Sequence, residues 1–235
     1  MTGGARGIGQ AIVAELASRG VDVMFTYRQA GAQAQAVADV HDGDTATVVA
    51  EPYDLLGGDA QALAARCQQR LGGLDIVILN AGMWQGGRIE TLPPEEWWRV
   101  VETNLRGNYL LARAVLPLLR QSAAGSLVFV SSAVGIIGFP GDSAYASAKA
   151  SMTGLARALA KENAGGTRVN VLAPGFVQTD MTADISEQAR NRILDRTVLG
   201  RFGTVEEIAR AAVFLAEDAT FCTGTVLSAD GGWTL

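Results

Sequence analysis

Met1-Thr-Gly-Gly-Ala-Arg-Gly-Ile-Gly9 opens the chain, and a helical pattern through Ile12, Val13, Leu16 and Ala17 follows it as far as Gly20. Gly3, Gly7 and Gly9 are spaced G-x3-G-x-G. Glycines placed this way permit a tight turn, a close approach of backbone to pyrophosphate, and close packing of helix on sheet. The helix N-terminus behind them attracts negative charge. Gly20 suits the residue just past a helix end, and the run Val21 to Tyr27 reads as a strand. Glycine turn, helix and strand in that order mark a parallel α/β arrangement.

The same alternation continues to the end of the chain. Strands are predicted at 21–27, 45–50, 74–79, 126–131, 168–172 and 225–228. Helices are predicted at 8–19, 30–40, 59–71, 95–120, 143–163, 186–197 and 205–216. Strands alternating with helices give a doubly wound parallel sheet with helices on both faces, here one domain over residues 1–235. A buried strand should precede the glycine turn, yet only Met1 stands there. That strand would be central, and its loss would expose the ladder groups of its neighbours. The expectation is therefore that the first strand is missing from this chain and that the true start lies upstream, giving seven strands.

With 235 residues, 49% of them hydrophobic, the chain can bury one substantial core. A net charge of −5 argues against a nucleic-acid or acidic-membrane partner. No apolar stretch reaches transmembrane length and no signal-peptide pattern is visible, so a cytoplasmic location is expected. Cys67 and Cys222 are isolated, and His41, the single histidine, lies in a polar His-Asp-Gly-Asp turn. A Ser-His-Asp triad and a histidine-rich metal site are thereby disfavoured, and no metal is expected.

Chemistry concentrates at Ser132, Tyr145 and Lys149. Tyr145 and Lys149 lie four apart in Ser143-Ala-Tyr-Ala-Ser-Ala-Lys-Ala150, one turn apart on a single helical face. Ser132 follows the strand-like Leu127-Val-Phe-Val130, so a hydroxyl, a phenol and an ammonium can converge at a strand's carboxyl end. A tyrosine of pKa near ~10 transfers protons poorly at neutral pH, and lowering it to about 7 needs roughly 4 kcal/mol of differential interaction. A close, partly desolvated lysine can supply that, which makes the trio a candidate proton-transfer site.

With Thr2-Gly-x3-Gly-x-Gly9, Asn80-Ala-Gly82, Ser132, Tyr145-x3-Lys149 and Pro174-Gly175 in order, the whole chain resembles the short-chain dehydrogenase/reductase family. Ala173-Pro-Gly-Phe-Val-Gln-Thr-Asp-Met-Thr182, Gly200-Arg-Phe-Gly203 and Thr223-Gly with Asp230-Gly-Gly232 are most similar to its 3-oxoacyl-acyl-carrier-protein reductase branch. The resemblance implies a Rossmann-type fold and reduction of a ketone to a secondary alcohol by hydride transfer. It makes Tyr145 the general acid, Ser132 the hydrogen-bond partner of the carbonyl oxygen, and Lys149 the group that lowers the tyrosine pKa and grips the nicotinamide ribose. Asn104, in Glu-Thr-Asn104-Leu-Arg-Gly, would hold a water linking the lysine to solvent. Read without the resemblance, Asn104 is a satisfied polar residue or a local kink in a long helix. Cofactor contacts are implied for Gly3, Arg6, Gly7, Ile8, Gly9, Arg28, Asp54, Leu55, Asn80, Ala81, Gly82, Tyr145, Lys149, Pro174, Gly175, Val177 and Thr179.

An NAD site wants a carboxylate after the second strand, but the run here ends Phe25-Thr-Tyr-Arg28. Arg6 and Arg28 suit a 2′-phosphate instead, which favours NADPH over NADH. Met83, Trp84, Phe139, Phe176 and Met181 are candidates for an apolar substrate pocket, and residues 177–199 for a lid over it. An acidic carrier protein should meet basic residues at the entrance. Arg120, Lys161 and Arg168 are near the corresponding segments without matching them, so small alcohols, diols and polyketide ketones stay open as substrates. A dinucleotide-binding protein without turnover is the reading from another class, and the presence of both Tyr145 and Lys149 counts against it. The resemblance also implies a homotetramer, with helices 95–120 and 143–163 at one interface.

Overall fold

The computed structural model describes every residue except Asp184. In chain order the elements are α1 (Gly7–Ser18), β1 (Val23–Tyr27), α2 (Gly31–His41), β2 (Val48–Pro52), α3 (Ala60–Leu71), β3 (Ile76–Leu79), α4 (Pro94–Val101) and α5 (Gly107–Leu119). There follow β4 (Ser126–Val130), α6 (Val134–Ile137), α7 (Ser143–Glu162), β5 (Arg168–Pro174), α8 (Asp180–Ala183), α9 (Glu187–Arg196), α10 (Val205–Val213) and β6 (Val226–Ala229). All strand pairings are parallel, β1 with β2, and β3, β4, β5 and β6 in that order. Each predicted strand and long helix has its counterpart, and the short helices α6 and α8 are additions.

β4 shows why the sheet needs helices on both faces. Val128 and Val130 enter one core with Ile12, Leu16, Phe25, Leu172 and Ala212, beneath α1 and α10. Leu127 and Phe129 enter the other with Leu111, Leu119, Met152 and Val169, beneath α5 and α7. Successive side chains point to opposite faces, so a strand apolar at every position must be covered twice.

The region 95–120, read as one helix, is three segments. A π-helical stretch, Glu102–Arg106, separates α4 from α5. Its cause is side-chain competition for backbone carbonyls: Thr103 Oγ1 donates to Arg99 O at 2.8 Å, Asn104 Nδ2 to Val100 O at 2.9 Å, and Asn108 Nδ2 to Asn104 O at 2.7 Å. A second π stretch, Phe214–Asp218, takes over the end of the helix predicted to reach 216.

Between β1 and β3 the sheet is joined through Thr2, which bridges to Thr26 on one side and Leu79 on the other. Thr2 N donates to Ile78 O at 3.0 Å, and Thr26 N donates to Met1 O at 2.9 Å. The Met1 ammonium donates to Met24 O at 2.6 Å, and burial lowers its pKa. Below Thr2 lies a cavity of about 270 Å³ lined by Met24, Leu63, Cys67, Ile76 and Val115 among others. Met1 and Thr2 thus stand between β1 and β3 and hydrogen-bond to both.

Candidate active site

The carboxyl ends of β1, β3, β4 and β5 open into a second cavity of about 800 Å³. Its lining brings together Gly3, Arg6, Gly7, Ile8 and Gly9 from the first turn with Arg28, Asp54 and Leu55. From the middle of the sheet come Asn80, Ala81 and Gly82, then Ser132, Tyr145 and Lys149. Pro174, Gly175, Val177 and Thr179 close the side beyond β5. Every residue singled out as a cofactor contact therefore faces one space. Asn104 alone of the proposed site residues lies behind the lining, fully buried.

Two features suit the first turn to an anionic ligand. A Cβ on Gly9 would collide with the carbonyl oxygen of Gly3, so only glycine lets the turn fold back on itself. The N-terminus of α1 also opens on the cavity, with Gly7, Ile8 and Gly9 in the lining and no side chain capping the helix. Its first N–H groups and the positive end of its dipole face the cavity without a protein acceptor from its N-cap side chain. Asn80 braces the turn by donating from Nδ2 to Thr2 O and Gly3 O, both at 3.2 Å. Thr2 Oγ1 accepts from Asn80 N at 3.0 Å and Ala81 N at 2.9 Å. In the sequence Thr2 belongs to the glycine motif, and nothing in its residue type announces this bracing.

The reacting end is fixed by α7 packed on α6. Ser131 Oγ donates to Lys149 O at 2.8 Å, tying the helix to the end of β4. Lys149 is buried, its Nζ donates to Val130 O at 2.8 Å, and it stands 5.5 Å from the Tyr145 ring centroid. Burial lowers its pKa to about 8. The Tyr145 phenol is pushed up to about 12, first by burial and then by the Asp142 charge, while the Ser132 hydroxyl pulls the other way. This corrects the expectation that Lys149 brings the phenol down towards neutrality. Desolvation wins because the ammonium is directed at a backbone carbonyl and lies over the ring. Ser132 Oγ accepts from Val134 N at 3.2 Å, so its own proton stays available for an incoming acceptor.

Asn104 Nδ2 also donates to Met83 O at 2.7 Å, while its Oδ1 has no protein partner. A Cβ on Gly82 would collide with that Oδ1 and lie 3.5 Å from Lys149 Nζ, so the bare glycine leaves the two polar groups facing one gap.

Other expectations come apart. Met83, Trp84 and Met181 line the cavity, but Phe139 and Phe176 do not. They stack with each other and with Trp233, at centroid distances of 5.2–6.0 Å, because apolar loop residues near a sheet end gain more by packing together. Asp54 lines the cavity, and its Oδ1 also accepts from Leu56 N at 3.0 Å in a local turn. Arg168 is committed inside the fold, donating to the carbonyls of Leu215, Ala216 and Ala219. Arg120 donates to Asn163 Oδ1 at 2.6 Å. Arg168 begins β5, at the end of the sheet opposite the cavity, so it cannot serve at the entrance.

The family model described as enoyl-(acyl carrier protein) reductase matches residues 3–234. Similar curated proteins include the 3-oxoacyl-[acyl-carrier-protein] reductase of Chlamydia muridarum, 39% identical over 99% of this chain and 95% of its own length. The Escherichia coli K12 protein of the same name is 36% identical over the same shares. Among solved structures, a short chain dehydrogenase from Burkholderia cenocepacia in complex with NADP superposes with a TM-score of 0.92 at 29% identity, covering 100% of this chain and 96% of that one. A dehydrogenase/reductase from Sinorhizobium meliloti gives 0.91 at 31% identity, covering 100% and 93%. The uncapped glycine turn, the hydroxyl–phenol–ammonium cluster at the strand ends and these likenesses agree: the chain belongs to the short-chain dehydrogenase/reductase family, NAD(P)H-dependent oxidoreductases acting on carbonyl and alcohol groups.

Proposed function

We propose that this chain reduces the ketone of a 3-oxoacyl thioester to the secondary alcohol, using NADPH. The observation that carries the reading is the convergence of Ser132, the protonated Tyr145 phenol and Lys149 on the wall of one cavity, with the glycine turn on the same lining. A phenol in that state is a donor, and reduction needs a proton delivered to the oxygen. When bound along the cavity, the nicotinamide dinucleotide would supply the hydride for the carbonyl carbon. As the C=O π bond opens, Tyr145 gives its proton to the oxygen, which becomes the alcohol hydroxyl. The Ser132 hydroxyl donates to the same oxygen and stabilises the charge developing there. Lys149, still an ammonium below about pH 8, returns a proton towards the phenolate. The unpartnered Oδ1 of Asn104 offers an acceptor for the water through which the lysine is resupplied.

At the other end, the first turn and the α1 N-terminus would hold the pyrophosphate. Support for NADPH is the pair Arg6 and Arg28 on the cavity wall, with no carboxylate at the end of β1. Arg6 stands 3.7 Å from Asp180 at the start of α8, both well exposed, so this contact is weak and easily exchanged for a phosphate. The segment 177–199, which contains α8 and α9, is proposed as the lid. Exposed Trp98 on α4 and Tyr109 on α5 support the proposed homotetramer through these helices.

Replacing Tyr145 with Phe tests the reading. Turnover should fall by about 10²–10⁴, the usual contribution of positioned proton transfer. NADPH should still raise the melting temperature, since the dinucleotide end is untouched. Retained turnover in Tyr145→Phe overturns the assignment.

A further inference from the structure

Asp142 immediately precedes α7, where an aspartate ordinarily accepts from the first helical N–H groups, yet it caps nothing. Its side chain is buried, with the residue 8% exposed, and Oδ1 accepts from Trp84 Nε1 at 2.9 Å. Among the described residues no lysine or arginine is ion-paired with it. Burial accordingly raises its pKa, with the Trp84 bond working against that.

Trp84 is 49% exposed and lines the cavity together with Ser132 and Tyr145, while Asp142 lies outside the lining, behind the indole it accepts from. Its loop is fastened on both sides of the Asp142 bond. Gly87 N donates to Gly141 O at 2.8 Å, and Asn104 holds Met83 O. A Cβ on Gly86 would come within 2.7 Å of the indole and 3.3 Å of Asp142 Oδ1, so ring and carboxylate both rest against a residue with no side chain.

We propose that the Trp84–Asp142 pair determines specificity at the carbonyl: the indole walls an uncharged acyl chain, and the carboxylate excludes substrates bearing an anionic group beside the ketone. This rests on the reductase reading above and sharpens it. A 3-oxoacyl ester or thioester is neutral next to the ketone, whereas the free 3-oxoacid carries a carboxylate there. Two like charges in a partly desolvated site repel, and the site that accepts the ester rejects the acid.

The test compares wild type, Asp142→Asn and Trp84→Phe on ethyl acetoacetate and on acetoacetate, with NADPH. Asparagine keeps an acceptor for the indole and removes only the charge. In wild type the ester should be favoured. In Asp142→Asn the ester-to-acid ratio of kcat/KM should fall by about tenfold, through a lower KM for the acid, as expected for loss of one repelling charge. In Trp84→Phe, which unties the indole bond, KM for the ester should rise several-fold more than kcat falls. An unchanged ratio in Asp142→Asn overturns the charge role, and an unchanged ester KM in Trp84→Phe overturns the wall. If wild type reduces neither compound, the reductase reading fails separately. The melting-temperature shifts that the two compounds produce with NADPH then decide the pair: a narrowed ester-over-acid difference in Asp142→Asn supports it, and an unchanged one overturns it.

Discussion

Lys149 carries an opposing pair of demands. In the proposed reaction its ammonium returns the proton, yet its burial lowers the pKa from the ordinary 10.5 to about 8. That difference corresponds to about 3 kcal/mol against the charged form. The unfolded chain holds this proton more tightly, so stability rises with pH between about 8 and 10.5, and the cost is fully present below 8. In Lys149→Met the part of the rise between pH 8 and 9.5 should vanish, and melts at those two values check it. Tyr145 does not interfere over that range, because its phenol stays protonated in both states below its ordinary value of 10. Activity should run the other way: reductive turnover should decline above about pH 8 as the ammonium is lost, and steady-state rates from pH 6 to 10 would show the descending limb. Local spacing made Tyr145 and Lys149 legible in the sequence, since a four-residue interval fixes a shared helix face wherever the helix goes. Asp142 was not legible: an aspartate before a helix reads as a cap, and only the folded loop shows its carboxylate turned to Trp84.

Among the elements, the π stretch between α4 and α5 shows where periodicity stops informing. The apolar pattern continues straight through 95–120, and what breaks the helix is hydrogen bonding by Thr103, Asn104 and Asn108, which hydrophobic spacing does not register. Asn104→Ala should cost about 1–3 kcal/mol, because Met83 O and Val100 O lose a buried donor. The chemical denaturation midpoint would report that loss. The second π stretch depends on Arg168, whose guanidinium accounts for three carbonyls at its end. Arg168→Ala should likewise lose about 1–3 kcal/mol. It should leave the ratio of kcat/KM for carrier-bound and free thioester unaltered, because its charge lies at the far end of β5. Strand and helix order, by contrast, could be read from the sequence, since runs such as Leu127-Val-Phe-Val130 must be buried on both faces.

At the level of the molecule, the two strips of sheet meet at Thr2. Thr2→Val keeps its shape but strands the N–H groups of Asn80 and Ala81, at a cost of about 2 kcal/mol and roughly 5 °C in Tm. The larger cavity lies across the same seam. Gly3 to Gly9, Arg28 and Asp54 belong to one side of it, and Gly82, Ser132 and Lys149 to the other. A dinucleotide stretched between them would act as a clasp, so that ligand affinity and the cohesion of the two strips become one quantity measured twice. Amide hydrogens of Val23–Tyr27 and Ile76–Leu79 should then exchange more slowly with NADPH present. Tuning the grip on the nucleotide is, in this chain, also a way of tuning how firmly its two halves are buttoned together.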